Sequence, residues 1–123
     1  MEIVNRKRVK SFITKDTAEI REILSPCNSS IKNQSLAEAR IATGKTTEEH
    51  YHIRMEEIYY ILRGRGKMCI ENDISNIEAG DGIVIHPGKR HWIRNEGTGD
   101  LVFLCCCTPA YTHEDTILIS SQT

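Results

Sequence analysis

Apolar and polar residues alternate in short runs along most of the chain after residue 35, which is the pattern of β-strands. One such run, GIVI, follows Gly80-Asp81 and precedes the turn residues Pro87-Gly88. The segments KMCIE and ISNIE flank Asn72-Asp73, which predicts a hairpin that turns at these two residues. The other runs are SLAEARIAT (35–43), EEIYYILRG (56–64), HWIRN (91–95) and LVFLCCC (101–107). We therefore predict an all-β fold, an antiparallel sandwich or barrel.

The segment TKDTAEIREILSP, near the start of the chain, is compatible with two structures. It fits a short helix that begins at Thr14 or Asp16 and stops before Pro26. It also fits a strand in which Ile20 and Ile23 are partly buried. The sequence leaves both alternatives open.

The run EEIYYILRG is apolar on both faces of the predicted strand. Because side chains alternate along a strand, Ile58, Tyr60 and Leu62 share one face, and Tyr59 and Ile61 share the other. One face can fill a barrel interior, and the other then needs a cover. In so short a chain we expect a second subunit to provide it, which predicts a homodimer.

The composition narrows the class of protein. A length of 123 residues suits one domain, so we expect a single domain over residues 1–123. A net charge of -1 gives no reason to expect nucleic acid or anionic lipid as a partner. We find no signal-like or membrane-spanning apolar run. Five cysteines, three of them consecutive at Cys105, Cys106 and Cys107, indicate free thiols and a cytoplasmic location.

The stretch EEHYHIRMEE contains candidate metal ligands. His50 and His52 are two residues apart, so a strand would point both imidazoles to the same face. Neutral imidazole binds transition metals, and a carboxylate adds the negative charge that a divalent ion needs. Glu56 and Glu57 are both placed to supply it, and face alternation does not decide between them because the intervening turn resets the parity.

Two motifs resemble those of the cupin superfamily. The first, G-x5-H-x-H-x(3,4)-E-x6-G, is matched from Gly44 through His50, His52 and Glu57 to Gly64. The second, G-x5-P-x-G-x2-H-x3-N, is matched from Gly80 through Gly88 and His91 to Asn95, except that His86 stands in place of its first proline. The first motif spans residues 44–64 and the second spans residues 80–95. The short form is similar to the mannose-6-phosphate isomerase-like cupins.

This resemblance implies a double-stranded β-helix, or jelly-roll, cupin barrel over about residues 35–108. The segments 1–34 and 109–123 would pack on the barrel or on a partner. The resemblance also implies a metal ion held by four ligands, namely His50, His52, Glu57 and His91. Glu57 is favoured over Glu56 because it alone lies at the motif's distance from Gly64.

Three imidazoles and one carboxylate leave open positions on a divalent ion, which suits a small-molecule ligand. Zn, Fe, Mn, Ni and Cu are all compatible with these ligands. Cupin barrels serve isomerases, dioxygenases, decarboxylases and lyases, so we expect a metal-dependent enzyme acting on a small polar organic molecule. The alternative is a non-catalytic module that binds or senses such a molecule.

Tyr59 is the candidate catalytic residue. It lies two positions after Glu57 and should share its face, and several metal-dependent cupin enzymes carry a tyrosine at this distance from the metal glutamate. The remaining candidates are expected outside the site. We predict that His86, Tyr111 and His113 lie at the surface. We expect Cys105 and Cys107 to pack as small apolar side chains.

Overall fold

The computed structural model describes residues 1–122, and in it short strands make up most of the chain. Three single-turn 3-10 helices span Arg6–Arg8, His113–Asp115 and Ile119–Gln122. No helix in this range is long and apolar enough to cross a membrane. The strands, numbered β1 to β11 in chain order, are Phe12–Ile13, Glu19–Leu24, Ser35–Ile41, His50–His52, Glu56–Arg63, Arg65–Ile70, Asp73–Glu78, Gly82–Ile85, His91–Asn95, Leu101–Thr108 and Thr116–Leu118.

The strands form two antiparallel sheets that face each other. One sheet has the order β1-β2-β3-β10-β5-β8, and the other has the order β11-β4-β9-β6-β7. The order places strands distant in sequence side by side, as a jelly roll does. The predicted all-β jelly-roll barrel is therefore confirmed.

Side-chain alternation fills the space between the sheets. In β5, Tyr59 and Ile61 point inward and are buried, whereas Ile58, Tyr60 and Leu62 point outward and are exposed. The inward side chains of both sheets form one apolar cluster that contains Ile61, Ile93 and Phe103. The predicted division of β5 into two faces is correct.

The N-terminal segment is a strand. Glu19–Leu24 forms β2 and pairs with β3, so the helical alternative for this segment does not form. Ile20 is buried and Ile23 is half-buried, as the strand alternative predicts. Strand pairing with the barrel decides between the two alternatives, because the local pattern fits both.

The hairpin between β6 and β7 turns one residue earlier than we predicted. Its two central residues are Glu71 and Asn72, which both have positive φ, 49° and 68°. This is the backbone of a type I′ turn, whose twist suits two-residue hairpins. Asp73, expected in the turn, instead begins β7 and pairs with Ile70.

Candidate metal centre

Three histidines converge between the two sheets. His50 and His52 lie on β4 and His91 lies on β9, where His50 and His91 are directly paired. All three are buried, and their candidate ligand atoms lie within 4.8 Å of one another. The ring centroids of His50 and His91 are 4.2 Å apart. The pairing of β4 with β9 thus brings the two motifs together, and strand alternation points their imidazoles inward.

Backbone carbonyls fix the orientation of two of these rings. The Nδ1 of His50 lies 2.8 Å from the carbonyl oxygen of Glu48, and the Nδ1 of His91 lies 2.9 Å from that of Lys89. Because a carbonyl only accepts, each Nδ1 carries the proton in this arrangement. The lone pair of each neutral ring is then on Nε2, as in a metal-ligating histidine.

The third ring is oriented by the C-terminal segment. Strand β11 pairs with β4, and the Thr116 hydroxyl lies 3.1 Å from Nδ1 of His52. The same segment is held in place by Asp115, whose carboxylate accepts hydrogen bonds from the backbone N–H groups of Arg54 and Met55 at 2.9 and 3.0 Å. The segment after β10 therefore supports the turn between His52 and Glu57.

Glu57 brings a carboxylate to the three imidazoles. It is buried, and its Oε1 lies 3.3 Å from Nε2 of His52 and 3.9 Å from Nε2 of His91. Its other oxygen, Oε2, accepts a hydrogen bond from the Cys107 thiol at 3.4 Å. Within residues 1–122, neither Glu57 Oε1 nor His91 Nε2 has a hydrogen-bond partner. Two buried atoms that have lone pairs and no hydrogen-bond partner can both act as ligands of a cation at this point.

The protonation states agree with that fit. Burial, together with the nearby His50, lowers the pKa of His91 to about 3, so its ring is neutral at pH 7. Burial alone would raise the pKa of Glu57, but the contact with His52 and the surrounding imidazoles outweigh it and lower the pKa. Neutral imidazoles and an ionised carboxylate are the forms that bind a metal.

Glu56 lies on the opposite face of β5 from Glu57. Its side chain is 63% exposed, and its carboxylate lies 3.8 Å from Nδ1 of the equally exposed His86. The structure thus places Glu56 outside the cavity, and it confirms the surface position predicted for His86. The pair is solvent-exposed, so it adds little to stability.

A cavity of about 40 Å³ lies beside the histidines, room for roughly three water molecules. Tyr59 lines it, with its ring 6.2 Å from that of His91. Burial, with the Glu57 charge in addition, raises the pKa of Tyr59 well above its usual value. The other lining residues are Thr14, Asp16, Ala18, Ile20, Glu22, Ala37, Ala39, His50, His52, Glu57, Phe103, Cys105, Cys107 and Tyr111.

Two thiols contact the cavity more closely than we expected. Cys105 and Cys107 are buried in the apolar cluster, as predicted, but they also line the cavity. Cys107 pairs with Glu57 across β10 and β5, which explains the hydrogen bond between them. Burial and the Glu57 carboxylate raise the pKa of the Cys107 thiol, so it stays protonated and donates.

Tyr111 was wrongly assigned to an outer surface of the tail. Its backbone N–H donates to the Ser35 hydroxyl at 2.9 Å, and its ring lies 6.4 Å from that of His52. It lines the cavity, and burial raises its pKa to about 12. Its neighbour His113, predicted at the surface, is exposed.

Asp16 was predicted only as a possible first residue of a helix, and the structure places it beside the histidines. It follows β1, is buried, and its Oδ2 lies 3.5 Å from Nε2 of His50. Its position depends on the folding of the N-terminal strands against the barrel, which no local motif signals.

A double-sheet β-barrel with three inward-facing histidines defines the cupin class of proteins. The family model of the cupin domain matches residues 37–107, and this chain belongs to that family. The match includes all three histidines and Glu57, so the fold and the sequence motifs agree.

Several known proteins are similar to this chain. An uncharacterised protein of Methanocaldococcus jannaschii is 46% identical over 112 residues, which are 91% of this chain and 90% of the relative. An oxalate-binding protein of Thermotoga maritima is 33% identical over 90 residues, 73% of this chain and 74% of the relative. The structure of the polyketide cyclase RemF from Streptomyces resistomycificus superposes with a TM-score of 0.81 at 18% identity, covering 97% of this chain and 85% of RemF. That last likeness supports the fold alone.

Proposed function

We propose that this protein is a metal-dependent cupin enzyme that acts on a small polar organic molecule. In this proposal, His50, His52, Glu57 and His91 hold one divalent ion. The observation that carries the proposal is the pair of buried donor atoms, Glu57 Oε1 and His91 Nε2, that lack partners within the described chain and face the same point beside a cavity. The oxalate-binding relative supports the binding of a small organic molecule at such a site.

The donor set favours a reactive site over a purely structural one. Three nitrogen donors and one carboxylate would leave open positions on a bound divalent ion, and the ion would supply Lewis-acid chemistry to a ligand oxygen there. The protein's own contribution is to hold the four donors in place. The carbonyls of Glu48 and Lys89 and the Thr116 hydroxyl do this for the rings, and the Cys107 thiol does it for Glu57.

Tyr59 supplies the proton-donating group in this proposal. Its hydroxyl stays protonated at neutral pH because burial raises its pKa, so it can donate a hydrogen bond to negative charge that develops on a ligand oxygen. Its ring packs against Phe103, with centroids 4.6 Å apart, which fixes its direction. Removal of the hydroxyl should therefore affect the reaction and spare the fold.

The Tyr59→Phe variant tests this role. Metal-loaded protein is first screened for turnover of diols, aldehydes, amines, keto acids and sugar phosphates. On the substrate found, we expect kcat to fall about 100-fold or more in Tyr59→Phe, with unchanged metal content, because one donor to developing charge is lost. Tyr60→Phe, whose side chain lies on the outer face, is the matched control and should keep full activity. Equal kcat in the two variants would contradict a role for Tyr59.

A non-catalytic binding or sensing role is the second candidate. It is favoured by the apolar share of the cavity lining, which includes Ala18, Ile20, Ala37, Ala39 and Phe103. Under this alternative the metal-loaded protein binds one compound of the screen and returns it unchanged. Detection of a product by mass spectrometry supports the enzyme, and saturable binding without product supports the sensor.

We also propose that two copies associate through the outer face of the sheet that contains β5. Ile58, Tyr60 and Leu62 are each 45% or more exposed there, and Val84, which pairs with Ile58 across β8, is 57% exposed. A contiguous apolar face of this kind gains free energy when a second surface covers it. One chain has a mass of 14.0 kDa, and we expect light scattering to give a molecular mass twice as large. A value equal to the single chain would contradict the dimer.

The cytoplasmic location and the likeness to mannose-6-phosphate isomerase-like cupins stay part of this proposal. All five cysteines are free thiols, which suits a reducing compartment. The sugar phosphates in the screen test the second point directly.

A further inference from the structure

Asp16 presents a second carboxylate to the imidazole cluster. It is 8% exposed, and its Oδ2 lies 3.5 Å from Nε2 of His50. The Thr14 hydroxyl donates to its other oxygen, Oδ1. Its backbone carbonyl accepts a hydrogen bond from the N–H of Glu48 at 2.8 Å, which ties this loop to the residues that precede β4. Asp16 is thus held in position from both its side chain and its backbone.

The contact between Asp16 and His50 joins two hydrogen-bond acceptors. Because Nδ1 of His50 donates to the Glu48 carbonyl, the neutral ring has its lone pair on Nε2. A carboxylate oxygen also only accepts. Two such acceptors that face each other at 3.5 Å need a cation between them, either the proton of an imidazolium or a metal ion.

Glu57 makes a similarly close contact with His52. Their facing atoms, Oε1 and Nε2, are 3.3 Å apart. Two donors that each lie about 2.1 Å from a common ion are separated by at most about 4.2 Å. Both carboxylate–imidazole pairs satisfy this limit, so each carboxylate can share an ion with its own imidazole.

We propose that Asp16 is a second carboxylate ligand of the metal site and that it restricts the site to small neutral or cationic ligands. This inference rests on the proposed metal binding by the three histidines and Glu57. Two carboxylates balance the charge of a divalent ion, so the loaded site offers no net positive charge to an anion. With Asp16 present the site has one fewer open position.

The rest of the cavity lining has the same electrostatic character. Among the lining residues that the structure describes there is no lysine and no arginine, whereas Glu22 adds a third carboxyl group. Burial raises the pKa of Glu22. A phosphate or dicarboxylate entering the cavity would meet no cationic side chain to compensate its desolvation. The cavity is also small, about 40 Å³, which favours a small ligand such as a short alcohol, aldehyde or amine.

Asp16→Asn is the variant that tests this proposal, because it removes the charge and keeps the shape and an acceptor for Thr14. Mn²⁺ binding is measured by calorimetry, followed by oxalate binding to the protein saturated with Mn²⁺. We expect Asp16→Asn to bind Mn²⁺ at least about tenfold more weakly. We expect it to bind oxalate at least about tenfold more tightly than wild type, because one negative charge is gone. Asp73→Asn, the matched control at an exposed position of β7, should change each constant less than about threefold.

A second comparison uses wild-type protein alone and so does not depend on the folding of any variant. Mn²⁺-loaded wild type is expected to bind ethanolamine more tightly than oxalate. Tighter oxalate binding overturns the proposal, and so does Asp16→Asn with either constant equal to wild type. Wild-type protein that binds no Mn²⁺ and no Zn²⁺ overturns the metal-dependent function itself. That result is distinct from a metal-loaded protein that prefers the anion.

Discussion

Replacement of Glu57 by alanine is expected to weaken divalent metal binding by at least about 100-fold. Changes in residues that only orient a metal ligand already cost 10- to 100-fold, so loss of a ligand should reach or exceed the upper end. Glu57 is also the carboxylate that contacts both His52 and His91, at 3.3 and 3.9 Å. Without Glu57 the cluster would keep its three imidazole rings but lose the negative charge that lies nearest to His52 and His91.

The measurement is Zn²⁺ affinity by competition with a chromogenic chelator, on protein purified without a metal-affinity tag. Glu56→Ala is the matched control, because the neighbouring side chain has the same chemistry but lies on the outer face. It should bind Zn²⁺ as wild type does. Similar affinity in Glu57→Ala and wild type would remove Glu57 from the site, and a loss confined to Glu56→Ala would reverse the assignment of the two glutamates.

Gly66→Ala is expected to lower the free energy of unfolding by about 3 kcal/mol or more. Overpacking of a well-packed interior typically costs up to that amount, and here the added methyl group would clash with backbone atoms. A Cβ at Gly66 would lie 1.9 Å from the carbonyl oxygen of Arg94. Gly66 belongs to β6, which pairs with β9 along the register that also matches Ile70 with His91. Relief of the clash requires the two strands to separate, which would displace His91.

Urea denaturation measures this effect. Gly82→Ala is the control, because Gly82 also lies in a strand but a Cβ there would have nothing within 4 Å. We expect its unfolding free energy to stay within about 0.5 kcal/mol of wild type. Equal stability of the two variants would show that β6 and β9 approach less closely than the structure has them.

The strands of the barrel could be predicted from local sequence because each carries its own signal. HWIRN alternates inward and outward residues and forms β9 over the predicted residues. Strand alternation predicted that His50 and His52 share the inner face of β4, and the motif's distance to Gly64 selected Glu57, which is buried on β5. The convergence of His91 on them follows from the pairing of β4 with β9.

The rest of the site depends on contacts that no local pattern records. Asp16 meets His50 only because β2 pairs with β3 and carries the preceding loop over the cavity. Tyr111 meets His52 because the chain after β10 folds back and pairs with β4. Both segments lie outside the two motifs, and both have weak periodicity, so their positions are decided by tertiary packing.

The proposed function depends on one divalent ion held by His50, His52, Glu57 and His91. It is tested most directly by anomalous-difference density from crystals grown with Zn²⁺. We expect one strong peak per chain, about 2.0–2.2 Å from Nε2 of each histidine and from a Glu57 oxygen. A cavity without a peak, in crystals where Zn²⁺ is bound elsewhere on the protein, would contradict the claim.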